Sequence, residues 1–218
     1  MRNNKSDNKL TNQTGFTIVE LMIATVIFSM VLLVCSYAII HAGRMYYKGM
    51  IMSKTQDTAR KIIDSASDAI KYDKSLNIVK RDIGGDPSSI CIGSLRYTFS
   101  KNKRLGQSGV EHVLWRDNIS DSTCPHADIN NPNPNPSSLG TEMLGEGMRL
   151  VKFDIYQPPT SSFWVVDVRV SFGDDNDFVS EDLSATPKVE KFSLCKGINA
   201  GGQFCAVSSY STTVKNRL

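Results

Sequence analysis

The residues best spaced to do chemistry stand near the amino end. In Gly15-Phe16-Thr17-Ile18-Val19-Glu20 a glycine, an aromatic residue and a carboxylate follow one another where a polar leader gives way to an apolar run. A carboxylate within an apolar helix is expensive in hydrocarbon and needs an opposite charge or hydrogen-bond donors. Glu20 lies only about 6 Å along a helix from Phe16, so in a lone chain it can stay near the headgroups. A second set is Cys91, Cys124, Cys195 and Cys205, an even number beyond the apolar run, which reads as two disulfides. Four cysteines allow three connectivities. The pairing Cys91 with Cys124 and Cys195 with Cys205 is favoured, since the latter closes a glycine-rich segment, Gly197 to Gly202. Zinc is a poor competitor, because no Cys-x2-Cys occurs and His126 is the only histidine near a cysteine. The acidic stretch Asp174, Asp175, Asn176, Asp177, Glu181 and Asp182 offers oxygens suited to calcium, but not at EF-hand spacing, and reads as a solvated turn. His41, His112 and His126 are scattered, and no G-x-S-x-G, P-loop or H-E-x-x-H occurs. No enzyme, cofactor or metal site is expected.

These groups must be positioned by a few elements. From Phe16 to Ile40 the only charged residue is Glu20. As a helix that run reaches about 37 Å, enough to cross a hydrocarbon core of about 30 Å. It is too long for a secretory signal, and Ile40-His41-Ala42 is a poor cleavage site. Leu33-Val34-Cys35 lacks the small residue that precedes a lipidated cysteine, so Cys35 reads as a packed or lipid-facing thiol. Past the run, Met52, Thr55, Ala59, Ile62, Ile63, Ala66 and Ile70 recur at helical spacing among charged residues. No proline interrupts them, so one helix is predicted from about 16 to 72, its second half packing an apolar stripe onto a globular head. Strands are predicted over Asn77–Lys80, Leu95–Ser100, Glu111–Arg116, Met148–Tyr156 and Phe163–Phe172, from β-branched and aromatic residues bounded by turn signals such as Gly84-Gly85-Asp86-Pro87. Residues 117–147, with Asn130-Asn131-Pro132-Asn133-Pro134-Asn135-Pro136, read as an exposed loop. The expected class is α+β, an antiparallel sheet on the helix. With 25 Lys+Arg against 22 Asp+Glu the net charge is +3, which gives no field suited to nucleic acid.

The leader, Met1 to Gly15, carries Arg2, Lys5 and Lys9 against Asp7. With Gly15, Phe16, Glu20 and the unbroken apolar run, it closely resembles the type IV prepilin family. The resemblance implies a leader of residues 1–15, a membrane and filament-core helix over 16–40, its amphipathic continuation over 41–72 and an extracytoplasmic head over 73–218. It implies cleavage between Gly15 and Phe16 by a prepilin peptidase, N-methylation of Phe16, and pairing of Glu20 with the new Phe16 amine on a neighbouring subunit. Its partners would be other pilin subunits, the assembly platform in the inner membrane, and lipid before assembly. The leader would lie in the cytoplasm and the head outside, although Arg44, Lys48, Lys54 and Arg60 beyond the run leave charge alone undecided. Pilin families often staple the C-terminal region, in keeping with the Cys195–Cys205 pairing. Unlike many major pilins, the chain has no proline from Phe16 to Ile40. A long, cysteine-bearing head is more like a minor pilin or pseudopilin. The alternative is a single-pass membrane-anchored binding protein or adhesin that never polymerises.

Overall fold

The computed structural model describes residues 15–73, 77–81, 88–119, 124, 140–182, 184, 188–197 and 202–217. Outside them lie leader residues 1–14, the predicted turn at Gly84–Pro87, His126, the Asn130–Pro136 run and positions 198–201 of the glycine-rich segment. The chain divides into two units, Met1–Gly43 and Arg44–Leu218. One uninterrupted helix, α1 (Ile18–Tyr72), supplies residues to both.

In the first unit the apolar side chains of α1 are exposed throughout. Its hydroxyls turn inward on the backbone: Thr25 donates to the Met22 carbonyl at 2.9 Å and Ser29 to the Thr25 carbonyl at 2.7 Å. These bonds spare an apolar surface two unsatisfied donors. By length and composition the helix can cross a membrane.

In the second unit α1 buries Ile51, Thr55, Thr58, Ala59, Ile62, Ile63, Ala66, Ser67 and Ile70. The stripe starts one residue earlier than its spacing suggests. Ile51 is 3% exposed whereas Met52 is 45% exposed, because the four-residue step from 51 to 55 continues the buried row. Among the described residues eight strands follow: β1 (Ile78–Arg81), β2 (Ser88–Ile92), β3 (Leu95–Phe99), β4 (Leu114–Asn118), β5 (Thr141–Glu142), β6 (Met148–Tyr156), β7 (Trp164–Phe172) and β8 (Ala206–Val214). They form two antiparallel sheets rather than one, a five-stranded meander β1-β2-β3-β4-β5 and a three-stranded sheet β6-β7-β8. The third predicted strand is shifted from Glu111–Arg116 to Leu114–Asn118, while β2, β5 and β8 were not anticipated. Gly93, at φ 56°, opens the two-residue β2–β3 turn, in which Ile92 faces Leu95.

A single main core joins the helix to both sheets, with Ile62, Ala66, Tyr97, Phe99, Leu114, Leu150, Phe153 and Val168 among its members. Phe153 receives both Tyr97 and Phe99 edge-on, at centroid distances of 5.5 and 5.4 Å. Each such side chain contributes about 1.5–3 kcal/mol by leaving water. A register shift between Leu150 and Lys152 divides β6 into two phases. Met148 and Leu150 before it, and Phe153 and Ile155 after it, all reach the main core, whereas Val151 joins Phe178, Phe192 and Cys205 in a smaller cluster.

Candidate processing and assembly site

The site in the first unit is the amino end of α1. Gly15, Phe16 and Thr17 precede the helix in irregular backbone, and Phe16 is 87% exposed. A Cβ added at Gly15 would meet nothing within 4 Å, so among the described residues no contact requires glycine there. Thr17 and Glu20 cap the helix reciprocally. The Thr17 amide donates to Glu20 Oε2 at 3.0 Å, the Thr17 hydroxyl donates to the same oxygen at 2.9 Å, and the Glu20 amide donates to Thr17 Oγ1 at 3.3 Å. Two donors that the helix cannot satisfy thus find partners, and the carboxylate lies where the helix dipole is positive. Glu20 therefore has a local occupation in the uncleaved chain that its reading as an intersubunit partner overlooks. The signal was present in Thr17-x-x-Glu20 ahead of an apolar run. Cys35 is an exposed free thiol on the same helix.

In the second unit two disulfides tie loop positions to strands. Cys91 on β2 bonds Cys124, and Cys195 bonds Cys205 immediately before β8. Next to the second bridge, the 1% exposed Arg149 projects from β6 into the smaller cluster. Its guanidinium carbon lies 4.2 Å from the Phe192 ring centroid and 5.9 Å from that of Phe178. It donates to the Asn102 and Gly173 carbonyls at 3.3 Å each and to the Asp175 carboxylate. Burial pulls the Arg149 pKa down and Asp175 pushes it back up; an arginine stays protonated regardless. The acidic stretch has a structural use here. Asp174 pairs with Arg104, Asp175 with Arg149, and the Asp177 carboxylate accepts the Asp174 amide at 2.9 Å. Among the described residues no three His, Cys, Asp or Glu side chains converge on a metal-sized site. His41 and His112 are not brought together either. His41 stacks on Tyr37, and His112 packs against Trp115 with Nδ1 3.5 Å from Glu142. Sequence reasoning missed Arg149 and also Arg96, whose guanidinium faces Asp117 within the five-stranded sheet.

Residues 10–36, which take in the Gly15-Phe16 junction, the Thr17–Glu20 cap and the apolar helix through Ser36, match the family model of the prokaryotic N-terminal methylation motif. The chain carries the N-terminal methylation motif of type IV prepilins. That motif comprises the signal segment and the first part of the helix, so the match does not extend to the head. The layout of a long N-terminal helix and antiparallel sheets agrees with a type IV pilin fold. Comparison with curated proteins and with solved structures finds no match.

Proposed function

We propose that this methylation-motif protein is a minor type IV pilin, or the closely related pseudopilin, a structural subunit that enters a filament after processing. The carrying observation is the joint placement of Gly15-Phe16 in exposed, non-helical backbone and of Glu20 at the first turn of an apolar helix able to span a membrane. A prepilin peptidase needs an accessible junction, and a residue without a side chain lets the extended backbone lie in its cleft. Cleavage there removes residues 1–15 and leaves Phe16 with a free α-amine for methylation. That amine is also a cation for Glu20 of a neighbouring subunit, which must exchange its Thr17 cap for the new partner as the helices pack. The leader faces the cytoplasm and the head the oxidising side, in keeping with the two disulfides. The other participants are fellow pilin subunits, the inner-membrane assembly platform, and lipid before assembly. Mass spectrometry of the protein from sheared filaments tests this reading, with N-methyl-Phe16 expected as the first residue. Protein in filaments that still carries Met1 to Gly15, or protein confined to the membrane with its leader intact, overturns it in favour of a plain anchored binding protein.

A further inference from the structure

Every sheet edge presents backbone donors and acceptors that can recruit another strand, and proteins guard such edges by shortness, charge, bulges or cover. Three of the four edges in the second unit are guarded in these ways. β1 has four residues and ends in Lys80-Arg81, and β5 has two residues. β6 carries the register shift at Leu150/Lys152, and its edge is covered by the 102–105 segment, where the Asn102 amide donates to the Leu150 carbonyl at 2.8 Å and the Leu105 amide to the Met148 carbonyl at 2.9 Å.

Among the described residues β8 has none of these guards. It is nine residues long, pairs with β7 in unbroken register from Ala206 to Val214, and contains no proline, glycine or charged residue. Among the described residues, no backbone hydrogen bond reaches β8 from outside the β7 ladder. In an antiparallel ladder alternate residues turn their amide and carbonyl groups away from the paired neighbour, so about half of those in β8 point at an open edge.

The sequence of β8 says what fits there. Read about Tyr210, Ala206-Val207-Ser208-Ser209-Tyr210-Ser211-Thr212-Thr213-Val214 is nearly self-complementary. Antiparallel pairing with another β8 sets Ser209 against Ser211, Ser208 against Thr212, Val207 against Thr213 and Ala206 against Val214. Every pair joins residues of equal parity, so buried Ser208 and Val214 stay on one face and exposed Ser209, Ser211 and Thr213 on the other. Hydroxyl and β-branched cross-strand pairs are favourable, and no like charges oppose one another. We propose that β8 binds a second copy of this chain, antiparallel and centred on Tyr210, so that two three-stranded sheets become one of six strands about a two-fold axis. Such an interface is isologous and closes at two copies. It goes beyond the filament reading, whose helix-mediated contacts do not involve β8.

The test uses the full chain in detergent on a Cys35→Ser background, with Ser209→Cys and Ser211→Cys made separately. On mild oxidation the mixture of the two variants should give cross-linked dimer several-fold above either alone, because position 209 faces 211 and not itself. Equal yields from all three samples, or no cross-link, overturn the proposal, since association through the membrane helix has no such register. In parallel, Ser211→Lys with Thr213→Lys gives β8 the guard that β1 already has. Light scattering should then fall from two chains to one with the circular dichroism unchanged. A dimer that survives these lysines also overturns it.

Discussion

Arg96 and Asp117 face each other in register on β3 and β4, with side chains only 2% and 0% exposed. The Arg96 Nε–H donates to Asp117 Oδ1 at 3.0 Å and a second nitrogen, Nη2, donates to Oδ2, so the pair is bidentate. Asp117→Ala removes the carboxylate that the buried Arg96 guanidinium faces. Removing one member of a buried pair costs about 3–5 kcal/mol, chiefly through the desolvated charge left behind. Arg169–Glu190 is the internal control, at 2.6 Å but with side chains 28% and 53% exposed. Water and salt already screen that contact, so Glu190→Ala should cost about 0–1 kcal/mol. The assay is urea unfolding of the full chain in detergent, followed by fluorescence of Trp115 and Trp164, with midpoint and slope compared across variants. Replacing both partners, Arg96→Met with Asp117→Leu, should recover most of the loss, because apolar packing there has no charge to desolvate. In 1 M salt the Asp117→Ala effect should persist while any Glu190→Ala effect fades. If Asp117→Ala is no more harmful than Glu190→Ala, the pair is not the desolvated unit described here.

Other expectations are more direct. Gly15→Val should block leader removal, read as retention of the larger species in membranes; normal maturation of the variant refutes the cleavage site. Glu20→Ala should leave insertion, cleavage and the head intact but lower recovery in sheared filaments relative to the membrane fraction, and equal recovery removes its assembly role. The disulfides close spans of 33 and 10 residues, which chain entropy values at about 3.7 and about 2.7 kcal/mol. Replacing Cys91 and Cys124 by serine should therefore destabilise the head more than replacing Cys195 and Cys205, and labelling of all four thiols in exported protein refutes the framework. Burial raises the Tyr97 pKa, while its 2.9 Å hydrogen bond with Ser65 opposes the rise. A phenol whose folded pKa exceeds its unfolded value of about 10 adds stability fully below that pH and loses it as the pH climbs through the folded value. Tyr97→Phe should flatten the alkaline decline in unfolding free energy, and an unchanged slope counts against that assignment.

What the sequence discloses follows from how many residues carry each signal. The helix was legible because its apolar run and its later stripe are both long and no proline intervenes between Ile18 and Tyr72. β6 and β7 were legible because over nine residues each keeps returning to apolar, β-branched or aromatic side chains between polar ones. β8 escaped notice because its alternation is written in serine and threonine, whose burial depends on the neighbouring sheet rather than on hydropathy. β2 follows the sequence Gly-Gly-Asp-Pro and offers only Ile90, Cys91 and Ile92. The split into two sheets depends on which strands find each other, which no local pattern records. At the site, Gly15, Phe16 and Glu20 were readable from spacing, whereas the Thr17 cap was available in the sequence and passed over. Arg149 gave no warning, since a basic residue within a strand normally marks a solvated face, and its burial is made tolerable by the Phe178–Phe192 pair, Asp175 and the Asn102 and Gly173 carbonyls, all distant in sequence.

The register shift in β6 also shapes how this head can change over generations. β6 advances two residues, from Leu150 to Lys152, while β7 advances one, from Val170 to Arg169, so Val151 is the surplus residue of a bulge. Deleting it would restore plain alternation and keep Met148, Leu150, Phe153 and Ile155 on the core face, at the expense of the smaller cluster that Val151 joins. A one-codon loss is therefore absorbed at Val151, whereas the loss of Asp154 would turn Ile155 to the face opposite Phe153. Length is free to vary at the bulge and is held on either side of it.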